Sequence, residues 1–254
     1  RNWLGRNFEE QVVGQASDPI PTSPLNRYVA GLPAGILAQQ LGLGGVTSTL
    51  DAACASSLYA IKLAIDELLS GRADAMLSGG LSRPDPLYTQ MGFSQLRALS
   101  KRGISAPFDA QGDGLLTGEG AGIFVLKRTS DAVAAGDKIY GVIRAVGLSN
   151  DIGGSLLAPS SEGQLRAMRA AYQQARWQPE DIDLIECHAT GTPVGDAVEV
   201  ASLKELWHGA EQRQQCVIGS VKSNIGHLLT AAGAAALTKV LLALQHQTLP
   251  PTAS

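Results

Sequence analysis

Between Leu58 and Leu69 the apolar residues Leu58, Ile61, Ile65, Leu68 and Leu69 fall at spacings of three, four and seven, which predicts an amphipathic helix beginning near Cys54. Gly71 stands where a C-terminal cap is expected. Before the helix, VTSTLDA is rich in β-branched residues and reads as a buried strand running into small residues. Upstream, NRYVAGLPAGILAQQLGL has helical spacing interrupted near Pro33, and residues 1–26 are polar and irregular around the breaker DPIPTSP. Downstream, DAMLSGG, AGIFVLKR and DKIYGVIRAVGLSND read as strands, and RPDPLYTQMGFSQLRALSKRG as a loop with a short helix. A regular alternation follows. SEGQLRAMRAAYQQARW is a helix with Ser161 at or near its cap, DIDLIECHA a strand, GDAVEVASLKELW a helix, QCVIGSVKS a strand and LTAAGAAALTKVLLALQHQ a helix. Strands and helices alternating at this spacing predict an α/β layered fold around a central sheet. The plan of strand, small-residue corner and buried helix occurs in both halves of the chain.

Composition narrows the classes. The chain is 44% hydrophobic and 17% charged, so it can bury a core rather than stay disordered. Aromatics are only 5% while glycines number 29, so the core is built from small aliphatic residues with close backbone approaches. The net charge of −3, with no basic block, gives no nucleic-acid footprint. No apolar run is read as reaching the roughly 18–20 residues of a membrane helix. The longest, LLTAAGAAALTKVLLAL, carries Lys239 and reads as a core helix. Three sparse cysteines make no disulfide framework and no Cys-x-x-Cys metal or redox motif, so a reducing cytoplasm is the expected compartment.

Cys54 sits on the corner between predicted strand and helix. A helix N-terminus stabilises a thiolate and offers N–H groups to an oxyanion, and the neighbours Ala52, Ala53, Ala55 and Ser56 let a substrate approach. A small buried hydrophobe is the equal alternative. His188 ends a strand, where α/β folds place functional groups. Thr190 and Thr192 after it can hydrogen-bond a ligand, or the segment simply caps the helix bearing Asp196 and Glu199. Lys222 follows a strand and calls for a carboxylate, with Asp196 or Glu199 as its expected partner. His227 taken alone is a helix-start residue with a satisfied hydrogen bond. Together, one cysteine and two histidines at three equivalent corners make a nucleophile with bases. Cys187 and Cys216 lie within strands and read as core; His208 and His246 read as surface.

DAACASS, HATGTPVGD and KSNIGHLLTAAG resemble the three signatures of β-ketoacyl synthases, the condensing enzymes of fatty-acid and polyketide assembly lines. SQLRALS, PFDAQGDGLLTGEGAG and TLPPT resemble further landmarks in the same order, from about Asn26 to Thr252. The resemblance implies a thiolase-like fold, layered αβαβα, with two related halves at 1–136 and 137–254, truncated at both ends: the family's first strands and helices precede Arg1, and a Gly-Phe-Gly-Gly-type loop follows Ser254. It implies Cys54 as acyl acceptor, His188 and His227 as the paired histidines, and Lys222 as the supporting lysine. Thr190 and Thr192 match positions touching the phosphopantetheine arm, with Asp196, Glu199 and Glu119 in support. It implies acyl carrier protein as partner, a homodimer, other domains of a multidomain synthase, no bound cofactor and no metal. Gly112 departs from the Arg of many relatives.

Three rivals remain. A degradative thiolase needs a second catalytic cysteine. A non-catalytic chain-length factor lacks the cysteine, so Cys54 argues against it, while the expected truncation keeps an inert fragment open. A cysteine protease leaves the second histidine and the lysine unexplained. HATGTPVGD and DAACASS lean toward the modular or iterative polyketide type, and LLAPSSEGQLRAMRAAY toward polyunsaturated lipid synthases.

Overall fold

The computed structural model describes residues 32–83, 86–153, 158–208 and 216–253. The polar stretch 1–26, with its breaker, lies outside them. The chain forms two compact units, Arg1–Asp51 and Ala52–Ser254. In the first, helix α1 spans Leu32–Gln40. Pro33 stands second in the described part of this helix, and the stretch 26–31 expected to precede it lies outside the described residues. Residues 46–52 form no strand. β-branched side chains fit a pleated surface, but that preference depends on context more than helix propensity does.

The second unit begins with one 3₁₀ turn, Ala53–Ala55, that leads into α2, Ser56–Leu69. The helix ends as Gly71 predicts: Gly71 has φ +72°, its N–H donates to Leu68 O, and the Arg72 N–H donates to Glu67 O. The buried stripe is Ser57, Ile61, Ala64 and Leu68. Leu58 and Leu69, expected on it, are exposed, since the stripe advances by fours and sevens from Ser57.

Strand β1, Met76–Ser82, pairs antiparallel with β2, Gly120–Leu126. Between them lies α3, Pro86–Gln95, and after β2 comes α4, Thr129–Ala135. Gly80 is where β1 meets the functional corner. A Cβ there would sit 2.6 Å from Thr230 O and 2.8 Å from Ser57 Cβ, so only glycine lets the strand lie this close. Residues 137–151, expected as a strand, form none; Ile139, Val142 and Ile143 are exposed and have no ladder partner among the described residues.

The rest follows the expected alternation: α5, Ser161–Ala175; β3, Leu184–Glu186; α6, Pro193–Leu206; β4, Val217–Gly219; the short α7, Lys222–Ile225; and α8, Ala232–His246. β3 and β4 pair in parallel through the α6 crossover. Buried Cys187, Ala189 and Leu203 form the core beneath this sheet, with Phe108, Met168, Ile185 and Trp207 packed on it. Leu229–His246 is long and apolar enough to cross a membrane by length and composition, against the sequence expectation that no run reaches that length. In this fold it instead packs on α2, β1 and β2.

Candidate active site

Cys54 stands in the middle of the 3₁₀ turn, half-buried, just before the first turn of α2. The corner is sharp because Ala53 has φ +49°, a left-handed conformation that costs a residue with a Cβ about 1–2 kcal/mol. Ser56 holds it there. Its hydroxyl donates to Ala53 O at 2.7 Å and accepts the Ala52 N–H at 2.9 Å. Ser57 Oγ accepts the Ala234 N–H at 3.0 Å and so locks α2 to α8. A strained elbow held by its own hydroxyls is the construction that presents a nucleophile at a helix start.

His227 comes from the opposite direction. Its N–H donates to Leu116 O at 2.7 Å, and its carbonyl accepts the Gly118 N–H at 2.9 Å, so the segment 116–118 holds the backbone. Its ring is held by Leu229, whose N–H donates to Nδ1 at 3.1 Å. Leu229 has φ +48°, a second strained residue beside a functional one. With Nδ1 an acceptor, a neutral ring carries its proton on Nε2. That atom lies 3.1 Å from Cys54 Sγ and points an N–H at the sulfur. Burial, with the positive reach of His188 and Lys222 added, pushes His227 down to about 3. His188 packs edge-on against it, ring centroids 5.3 Å apart. His188 is exposed, yet the protein around the ring, with Lys222 beside it, pushes it down to about 4. Both imidazoles are neutral at pH 7.

The carboxylates expected to hold Lys222 serve the backbone of the His188 loop instead. Glu199 accepts the N–H groups of His188 and Ala189, both at 2.7 Å. Asp196 accepts those of Thr190 at 3.0 Å, Gly191 at 3.2 Å and Phe108 at 2.8 Å. An acid in the first turn of α6 meets a loop whose amides have no sheet partner, which is why these residues are needed there. Lys222 is buried and donates from Nζ to Cys187 O at 3.5 Å, and Ser105 Oγ binds its carbonyl at 2.6 Å. Burial lowers its pKa, while Glu199 and Glu186 act through space to hold the charge. Replacing Asp196 with Ala strands three backbone donors and is expected to lower stability by about 1–3 kcal/mol. The denaturation midpoint checks it: Asn should cost less, and an unchanged Ala midpoint rules out this organising role.

Thr190 and Thr192 bond each other through their hydroxyls at 2.9 Å, and Thr190 is buried. Glu119 is exposed at the entry to β2, along the wall of a cavity of about 950 Å³ that it shares with α8. Cys187 is buried, and burial, reinforced by Glu199 and Glu186, pushes its thiol up to about 12, so it stays protonated. His208 and His246 are exposed. At Gly112 a Cβ would come within 2.9 Å of Gly191 O, so an arginine here needs the loop to shift.

One atom each from Cys54, His188 and His227 lie within 4.8 Å of one another, the spacing of a metal centre. The His227 tautomer opposes that use: a metal needs a lone pair on Nε2, and the Leu229 bond places a proton there. The trio is built to attack and to donate hydrogen bonds. The residues that complete it are Ser56, the Leu229 amide and Glu186. Of these only Glu186 left a signal, as a charge inside the otherwise apolar strand run LIECHA.

An α/β frame with a cysteine on a strained helix-start corner and two neutral histidines facing it has the makings of a thiolase-like domain, and known proteins agree. The Beta-ketoacyl synthase N-terminal domain matches residues 5–132 and the C-terminal domain residues 140–254. The chain belongs to the β-ketoacyl synthase family. It is 42% identical over 223 residues to a polyunsaturated fatty acid synthase polypeptide of Thraustochytrium sp., covering 87% of this chain and 11% of that protein. It is 41% identical over 219 residues to polyketide synthase PksN of Bacillus subtilis, covering 82% and 4%. Among solved structures, the PfaC keto synthase–chain length factor superposes with a TM-score of 0.84 at 49% identity, over 89% of this chain and 24% of that one. The ketosynthase from module 6 of the bacillaene synthase of Bacillus subtilis superposes at 0.84 with 38% identity, over 89% and 40%. The fold is thiolase-like.

Proposed function

We propose that this chain carries the condensing centre of a multidomain polyketide or polyunsaturated fatty-acid synthase, extending an acyl chain by decarboxylative Claisen condensation. The observation that carries this reading is the 3.1 Å contact between Cys54 Sγ and His227 Nε2, with His188 edge-on beside it. Cys54 attacks, as a thiolate, the thioester of an acyl chain on a carrier-protein phosphopantetheine. Its sulfur bonds the carbonyl carbon, the carbon–sulfur bond to the carrier breaks, and the departing carrier thiolate takes up the proton that the Cys54 thiol released. The N–H groups at the start of α2 favour the charge that develops on oxygen. A malonyl thioester then enters. Its Cα–carboxyl bond breaks, CO₂ departs, and the electron pair becomes an enolate whose oxygen accepts hydrogen bonds from His188 and His227. The enolate carbon bonds to the acyl carbon, and the Cys54 thiolate leaves. Lys222 supplies buried positive charge behind the histidines. Thr190 and Thr192 support the phosphopantetheine arm once their mutual bond opens. We assign no cofactor to the domain itself.

A cytoplasmic location, a homodimer and the carrier protein belong to the same proposal, resting on the free cysteines and on the multidomain relatives. The name of the PfaC relative pairs a keto synthase with a chain length factor. Cys54 on its elbow favours the condensing role here. The test supplies the intact protein with an acyl-pantetheine thioester and a malonyl thioester and weighs the product. A β-ketoacyl thioester two carbons longer supports the reading. Condensation from acetyl thioester alone makes the site a thiolase, and no product overturns the catalytic reading. The active imidazoles are neutral and their pKa values are about 4 and about 3. Decarboxylation is therefore expected to stay flat as pH falls through the ordinary imidazole value of about 6.5 and to fail only nearer 4. A limb at the ordinary value contradicts neutral histidines.

A further inference from the structure

Glu186 is a carboxylate on β3, two residues before His188, with 4% of its side chain exposed. Its Oε1 accepts the N–H of Val221, the residue before Lys222. Its Oε2 meets Lys239 Nζ of α8 at 2.7 Å, and neither atom has another partner among the described residues. Room for the ammonium comes from Gly219, the register partner of Glu186 on β4: a Cβ there would stand 3.2 Å from Nζ. One buried ion pair therefore ties together the strand leading to His188, the turn carrying Lys222 and the helix that follows His227.

We propose that Glu186 and Lys239 are a positioning pair for the decarboxylation half of the reaction: they set the turn and the charge environment of Lys222 and the approach of His188 without touching substrate. This rests on the condensing reading above. The Cys54 corner that takes up the acyl group is held by Ser56 and by the Ser57 bond to Ala234 in the first turn of α8, and neither bond runs through the Glu186–Lys239 pair. A pair that served only stability would affect both half-reactions alike. A buried pair is a poor stabiliser in any case, because the desolvation of both charges offsets their attraction.

The test uses the intact protein and follows two rates: acyl loading of Cys54 by intact mass, and CO₂ release from a malonyl thioester. Lys239→Met is expected to slow CO₂ release at least ~10-fold while acyl loading stays within about threefold. Lys239→Arg keeps the charge and should restore most of the lost rate. Equal losses in both rates, or no loss in a folded Lys239→Met protein, overturn the proposal, as does failure of Arg to rescue. Should Lys239→Met not fold, the double variant Glu186→Gln with Lys239→Met removes both charges and leaves none buried alone. A folded double variant that releases CO₂ at the wild-type rate overturns the positioning role, and one that loads acyl groups but releases CO₂ slowly supports it. If the wild-type protein performs neither half-reaction, the condensing reading fails first and the pair falls with it.

Discussion

The Cys54→Ala protein is expected to take up no acyl group from an acyl-pantetheine thioester, with the wild-type mass gain absent. Condensation stops with it, because the enolate has no thioester on the enzyme to attack. Alanine is otherwise a mild change here. Cys54 is half-buried in a run of small residues, and the corner is held by Ser56 and Ser57 rather than by the sulfur. The fold should therefore survive, with a thermal midpoint close to wild type. The histidines also survive, and CO₂ release from malonyl thioester should continue. A mass gain that persists in Cys54→Ala places the acyl group elsewhere. Cys216 would be the next candidate, since it is half-buried where Cys187 is fully buried, although burial and Asp183 raise its thiol too.

Removing His227 is expected to act on the other half-reaction. His227→Ala deletes the Nε2 donor and opens space in a site where the ring is 2% exposed. CO₂ release should fall by ~10²–10⁴-fold, the range for a positioned catalytic group. His227→Gln discriminates the role. The Leu229 bond makes the imidazole a fixed N–H donor at Nε2, and a glutamine amide can present an N–H near the same point. Gln should recover at least ~10-fold over Ala if donation to the enolate oxygen is the function. If Gln and Ala are equally slow, His227 acts as a base, and the tautomer assigned from Leu229 is wrong.

Much of this was legible in the sequence because the relevant signals are local. The helix after Cys54, the cap at Gly71 and the alternation from Ser161 onward follow from side-chain spacing and glycine placement, which neighbouring residues decide among themselves. The strands expected at 46–52 and 137–151 show the limit. Their β-branched pattern is real, but β propensity is set by what a segment packs against, and spacing along one chain does not decide that. Leu58 and Leu69 were misplaced for a related reason: which stripe of α2 is buried depends on where α8 docks, and the Ser57–Ala234 bond sets that.

The site divides the same way. Sequence by itself determined the chemistry: the nucleophile on a small-residue corner, two histidines, a lysine, and an unexpected charge at Glu186 and again at Lys239 inside apolar runs. Only the tertiary structure decided what those groups do to one another. Asp196 and Glu199 turned out to accept loop amides at hydrogen-bond distance, and Glu199 reaches Lys222 only through space. The Nε2–H of His227 comes from one backbone bond at Leu229. Glu186 and Lys239 found each other across the 52 residues between them in the sequence. A residue's type carries its chemistry wherever it stands, but tautomer, partner and distance arise only when segments remote in the chain are packed together.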